Sequence, residues 1–212
     1  VNYAQLVDAI QSYTQNYDAD FIANIPTFVQ EAEKRIYNSV QLPVQRKNVT
    51  GSVTSGNPYL TLPNDWLAAY SLAVMDAPSG GYEYLLNKDV NFIRQAFPYP
   101  ATSGTPKYYA IFGQNTLILG PTPDDDCSVE MHYFAYPQSI VDAGTSWLGT
   151  NFDPPLLYGA LLEAYTFMKG EQDVMQYYQQ RYDEAIMQLK RLADGLERQD
   201  AYRSGQARVG VK

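Results

Sequence analysis

Few side chains in this chain have the chemistry for catalysis. The one histidine, His132, lies in Glu130-Met131-His132-Tyr133, where alternation puts Glu130 and His132 on one face of a strand. A carboxylate beside an imidazole raises its basicity and can make it a general base. A base of this kind also needs a nucleophile within reach, and no Gly-x-Ser-x-Gly elbow occurs. His132 is therefore read as an ordinary sheet residue. Glu83, Glu130 and Glu163 are the acids that could pair for glycoside hydrolysis. That reaction needs two carboxyl groups about 5 to 9 Å apart, and their spacing matches no hydrolase pattern, so they read as surface charge or satisfied partners. Asp124-Asp125-Asp126 lacks the spread of ligands, the central glycine and the closing glutamate of a calcium loop, and reads as a solvated turn. With only Cys127 and His132, no intrachain disulfide or zinc cage can form. No glycine-rich phosphate loop is present. The expectation is a protein with no catalytic, cofactor-binding or metal-ligating residues, not an enzyme, that works by packing against other chains.

Stability must then come from a core, and 212 residues with 45% hydrophobic side chains can build one. The length fits one domain, or one domain with a long insertion. Nineteen tyrosines offer either platforms for sugars or amphipathic contacts in a core and a subunit interface. Tyr178 and Tyr182 fall on helical core positions, which favours packing. The net charge of −8 argues against general binding to phosphate backbones. Charge is uneven, however. Residues 48–140 hold eight acids against three bases, whereas Arg198, Arg203, Arg208 and Lys212 face only Asp200 at the end. No run of eighteen apolar residues suits a membrane span, and Val1 to Ile10 lacks the basic start and apolar stretch of a signal peptide. A soluble protein made in a cytoplasm is expected.

The elements follow from periodicity. Asn2 and Gln5 form a capping pair ahead of a helix over Tyr3 to Gln15. Asp20 caps a second, with Phe21, Ile22, Ile25, Phe28, Val29, Ala32, Ile36, Tyr37 and Val40 at helical spacing, Pro26 able to split off its first turn, and Glu31, Glu33, Lys34 and Arg35 largely on the polar side. Past Pro43 the pattern turns to strands: Tyr59 to Leu62, Trp66 to Met75, a hairpin of Lys107 to Phe112 with Thr116 to Leu119, and Val129 to Tyr136. Asp89 to Phe97 reads as a short helix. The strands read as one small, mostly antiparallel sheet. Asp153-Pro154 then starts an apolar helix through Met168, closed by Gly170. A last helix from about Glu171 carries Met175, Tyr178, Tyr182, Ala185, Leu189, Leu192 and Leu196 as a packing seam. The fold class is α+β: a bundle of N-terminal (1–47) and C-terminal (141–200) helices, an inserted β-rich region (48–140), and an extended basic docking tail (201–212).

Several segments, in order, resemble the head-to-tail adaptor, or connector, proteins of tailed bacteriophages, particularly the short-tailed type. They are Ile25-Pro26-Thr27-Phe28-Val29-Gln30-Glu31-Ala32-Glu33-Lys34-Arg35-Ile36, Leu62-Pro63-Asn64-Asp65-Trp66, Gly104-Thr105-Pro106-Lys107-Tyr108-Tyr109-Ala110-Ile111, Leu117-Ile118-Leu119-Gly120-Pro121-Thr122-Pro123, Leu157-Tyr158-Gly159-Ala160-Leu161-Leu162-Glu163-Ala164 and Tyr182-Asp183-Glu184-Ala185. The resemblance implies a ring of twelve subunits between portal and tail nozzle in the virion, lining the channel through which genomic DNA leaves without sequence-specific binding. An acidic balance suits such a channel, because like charge suppresses sticking. Tyr202, Arg203, Arg208, Val209, Val211 and Lys212 are the expected portal contacts. Two other classes remain open: a virion-associated peptidoglycan hydrolase using Glu83 or Glu163, and a tyrosine-lined carbohydrate-binding module.

Overall fold

The computed structural model of the chain describes residues 1–75, 80–99 and 101–197. It is mixed α+β and divides into two compact units, one of Val1–Gln45 with the chain from Tyr136, the other of Arg46–Ala135. The expected contacts Tyr202, Arg203, Arg208, Val209, Val211 and Lys212 lie outside the described residues.

The first unit is helical. Helix α1 (Tyr3–Thr14) opens on the expected capping box, with Gln5 N donating to Asn2 Oδ1 at 2.9 Å and Asn2 N to Gln5 Oε1 at 3.0 Å. Helix α2 (Ala19–Ser39) starts after Asp18 rather than Asp20, and Pro26 stays inside it. The apolar stripe on both sides of that proline, Phe21, Ile25, Phe28 and Val29, is buried, so packing holds the helix through the missing N–H. A turn of 3₁₀ helix follows (Pro43–Gln45). Two short helices escaped the sequence reading, α4 (Ile140–Ala143) and α5 (Trp147–Asn151), each too brief to show a period and each capped by a serine, Ser139 and Ser146.

Helix α6 (Pro154–Met168) is central, as its near-continuous apolar sequence predicts: it packs on α1, α2 and the long α7 (Gln172–Glu197). Gly159 sets how close these helices come, since a Cβ there would lie 3.0 Å from Ala32 Cβ and 3.2 Å from Tyr182 Cε2. The α7 seam drifts from the expected one. Tyr178, Tyr182, Ala185, Ile186, Leu189 and Ala193 are buried, whereas Leu192 is exposed and Leu196 half-buried. A straight helix turns every 3.6 residues, so a strict 3.5-residue seam rotates off the interface within two heptads.

The second unit is two sheets rather than one. Strands β1 (Arg46–Val53), β3 (Ala68–Met75), β4 (Tyr82–Tyr84) and β8 (Cys127–Phe134) form an antiparallel sheet in the order β1-β8-β3-β4. Strands β2 (Tyr59–Thr61), β5 (Leu86–Asn87), β6 (Tyr108–Gly113) and β7 (Thr116–Gly120) form another, in the order β2-β7-β6-β5, antiparallel except for β5 against β6. Leu72, Val74, Val129 and Met131 of the first sheet share a core with Leu60, Leu117 and Leu119 of the second. The other face of the second sheet is covered by helix α3 (Val90–Ala96), through Ile93 on Ala110 and Ile118. Leu117-Ile118-Leu119 is therefore buried on both faces, and such a run gives no alternation from which sequence alone could assign its strand to a second sheet.

Candidate functional site

The expected chemistry-bearing residues do not converge. His132 and Glu130 do share one face of β8, with Nε2 3.7 Å from Glu130 Oε1. Asn48 Nδ2 donates to the same carboxylate, and the Tyr82 hydroxyl bonds it from β4. Those two hydrogen bonds, Asn48 first, hold the Glu130 carboxyl below its ordinary range, and the bond to Glu130 in return raises the Tyr82 phenol. A carboxylate stabilised in its ionised form is a poor proton donor. Ser71 lies opposite His132 in the strand register, but among the described residues no hydrogen bond joins their side chains. The backbone N–H groups of β8 serve its pairing with β1 and β3, so this strand offers the cluster no oxyanion hole.

The other acids are equally scattered. Glu83 is in register with Val74, which is buried, so it belongs to the opposite sheet face from Glu130, which is in register with Ala73 one residue along. Glu163 lies on α6 in the helical unit, where it pairs with Arg35 of α2. In the Asp124–Asp126 turn the Asp126 carboxylate accepts from Ser55 N at 2.8 Å and the Asp124 carbonyl from Ser55 Oγ at 2.6 Å, so the turn is tied to the end of β1. Among the described residues no three His, Cys, Asp or Glu side chains gather as a metal site. Burial, and after it the neighbouring aspartates, pushes the Cys127 thiol up, away from the reactive thiolate.

What the structure does present is exposed aromatic residues in the β unit and, in the helical unit, a cavity with a buried acid in its wall. Tyr70, Tyr82, Tyr84 and Tyr99 are exposed, as are Tyr59 and Phe112, whose rings lie 5.2 Å apart with Arg94 donating to the Tyr59 hydroxyl at 3.1 Å. Tyr178 and Tyr182 are buried as expected, and each unit holds both buried and exposed tyrosines.

The cavity, about 240 Å³, is lined by Gln30, Glu33, Tyr37, Tyr136, Pro137 and Ser139, with Lys34 at its side. Glu33 was read as lying largely on the polar side of α2; it is only 3% exposed. Its Oε1 accepts from Ile140 N at 2.9 Å, and Ser139 bonds it as well, so it ties the start of α4 to α2. Burial, the largest influence, raises its carboxyl above the ordinary range in spite of these bonds. The Tyr37 hydroxyl is buried without a hydrogen-bond partner and is pushed far up by burial. The sequence did hold a signal: Glu33 stands four residues after Val29 and three before Ile36, within the apolar stripe.

No curated protein matches this sequence. The model of one family, the SU10 adaptor protein, matches residues 1–210. The chain belongs to the SU10 adaptor protein family. Membership agrees with the adaptor resemblance carried by the sequence segments, and assigns this adaptor a structural role in a phage particle, at the head–tail junction. A structural adaptor accounts for reactive residues dispersed over two units. Among the described residues no helix of the adaptor is long and apolar enough to cross a membrane.

Proposed function

We propose that this chain closes into a ring, twelvefold as the family resemblance implies, between the portal and the tail nozzle, and that genomic DNA leaves through its channel. The observation that carries the reading is the family match along residues 1–210. The acidic net charge of −8 supports a channel over which DNA slides rather than sticks. In this reading the basic end of the chain is the portal-docking arm: Tyr202, Val209 and Val211 supply apolar anchors, and Arg203, Arg208 and Lys212 meet acids of the portal.

The test is to mix the purified adaptor with its cognate portal ring and follow mass by light scattering and shape by negative-stain microscopy. A ring seated on the portal is the expected product. An adaptor lacking residues 201–212 should stay folded and fail to attach, and attachment at unchanged affinity removes the arm from the account. An intact adaptor that ignores the portal but degrades purified peptidoglycan, with the activity lost on Glu83→Gln or Glu163→Gln, overturns the proposal.

A further inference from the structure

We infer that the cavity beside α2 is a guanidinium-binding site, and that its occupant is an arginine of this chain's own C-terminal segment, residues 198–212. The inference deepens the arm assigned above and rests on that reading for the arm's role at the portal.

The chemistry of the walls selects the ligand. Glu33 is an acid at 3% exposure, and the groups acting on it are burial, Ser139, Ile140 and Asp142, none of them cationic. A carboxylate desolvated without a counter-charge is unfavourable, and a cation entering the cavity relieves it. Among the other residues that line it, Gln30 carries an amide oxygen and Tyr37 a phenol, while the Ser139 hydroxyl is bonded to Glu33 and the Tyr136 hydroxyl donates to Asn38 Oδ1. The Tyr37 oxygen is buried and unpartnered, on a residue 5% exposed. A guanidinium carries five N–H donors in a planar fork, so it can bond a carboxylate and a phenol oxygen together while lying on an aromatic ring. The one cation at the cavity's side is already engaged, Lys34 Nζ lying 2.9 Å from Glu31 Oε1.

The chain itself supplies the ligand. Arg198, Arg203 and Arg208 stand in a segment whose single acid is Asp200, within a chain of net charge −8. The described part of α7 ends at Glu197, and α7 packs on the Pro43–Gln45 turn, whose Gln45 Nε2 donates to the Tyr37 carbonyl at 2.9 Å. From there fifteen residues can span about 50 Å when extended, which exceeds the length of α2 several turns over. Docked in this way, the arm is held on its own subunit until the portal competes for the same arginine.

Trypsin cleaves after arginine, so the full-length adaptor reports the contact directly. The rates of cleavage after Arg198, Arg203 and Arg208, followed by mass spectrometry, should show one site protected about tenfold relative to the others, as a charge-assisted pair requires. Glu33→Gln should abolish the protection. Arginine amide added to the unaltered protein should do the same by competition, and more effectively than lysine amide, a comparison that does not depend on how the variant folds. Equal cleavage at all three sites, indifferent to both treatments, overturns the inference. Protection that grows with protein concentration also overturns it, by assigning the cavity to a second copy. Neither result bears on portal attachment, which the truncation above reads separately.

Discussion

The two units both divide their aromatic residues between core and surface, but they hold the buried ones by different means. In the helical unit the rings pack on one another: buried Phe21 and Phe28 cluster with the partly exposed Phe167 at centroid distances of 5.4 to 6.3 Å, and Tyr165 stacks edge-on against buried Tyr178 at 5.1 Å, while Tyr13, Tyr17 and Tyr177 are exposed. In the β unit Tyr109 and Tyr133 are buried among aliphatic side chains, while Tyr70, Tyr82 and Tyr84 stand on the sheet surface. The lesson is one of means: the helices close on ring-to-ring contacts, the sheets on an aliphatic core that takes in two tyrosines, and both leave exposed aromatic residues of the kind that protein interfaces favour.

Glycine substitution breaks this comparison most sharply. Gly159→Leu drives a side chain into Ala32 and Tyr182 and is expected to lower stability by about 3 kcal/mol, read from urea midpoints. Gly51→Ala, on β1, meets nothing nearer than Val129 Cγ2 at 3.5 Å and should raise stability by about 0.5 kcal/mol through the lost freedom of the unfolded chain. Equal losses at both sites would show that the sheets are packed as tightly as the helices.

Acid titration should separate the units next. The raised Glu33 carboxyl binds its proton more tightly when folded, so its contribution is full at low pH and is lost as pH rises from the ordinary glutamate range through its folded value. Glu130 is lowered, so its contribution is present above the ordinary range and is lost as pH falls through its folded value. Lowering the pH toward the ordinary glutamate range is therefore expected to favour the helical unit, and lowering it further to weaken the β unit, measured as urea midpoints against pH. Glu33→Gln should flatten only the first trend, and a helical unit whose pH response survives that change would assign the effect to another group.

The smallest effects concern single hydroxyls. Tyr182 has a buried hydroxyl without a partner, so Tyr182→Phe should be neutral or stabilising by about 1 kcal/mol. Tyr82→Phe removes an exposed hydroxyl from Glu130 and should shift thermal stability very little, while letting the Glu130 carboxyl rise toward its ordinary value by NMR titration.

The legible parts of the fold were those with local causes. The Asn2/Gln5 box, the hairpin around Gly113-Gln114-Asn115 and the apolar α6 each follow from neighbours in sequence. Long-range partition was not legible: whether Tyr59–Thr61 pairs with β7 or joins β1 depends on which faces are covered, and an apolar strand such as Thr116–Gly120 does not say. Glu33 was missed for a related reason, because a charged residue inside an apolar stripe is read as solvent-facing until its partner, the start of a helix more than a hundred residues later, is known.

Arg46 and Phe134, which open and close the β unit, are paired residues on adjacent antiparallel strands. A segment of some ninety residues thus enters and leaves through two points about 5 Å apart, the spacing of neighbouring strands. To the helical scaffold such a segment is a cassette: recombination can excise it, lengthen it or replace it with another whose ends meet side by side, without altering the path of the flanking helices. Changes in length between Arg46 and Ala135 should therefore be tolerated without moving the two points at which the chain enters and leaves the segment.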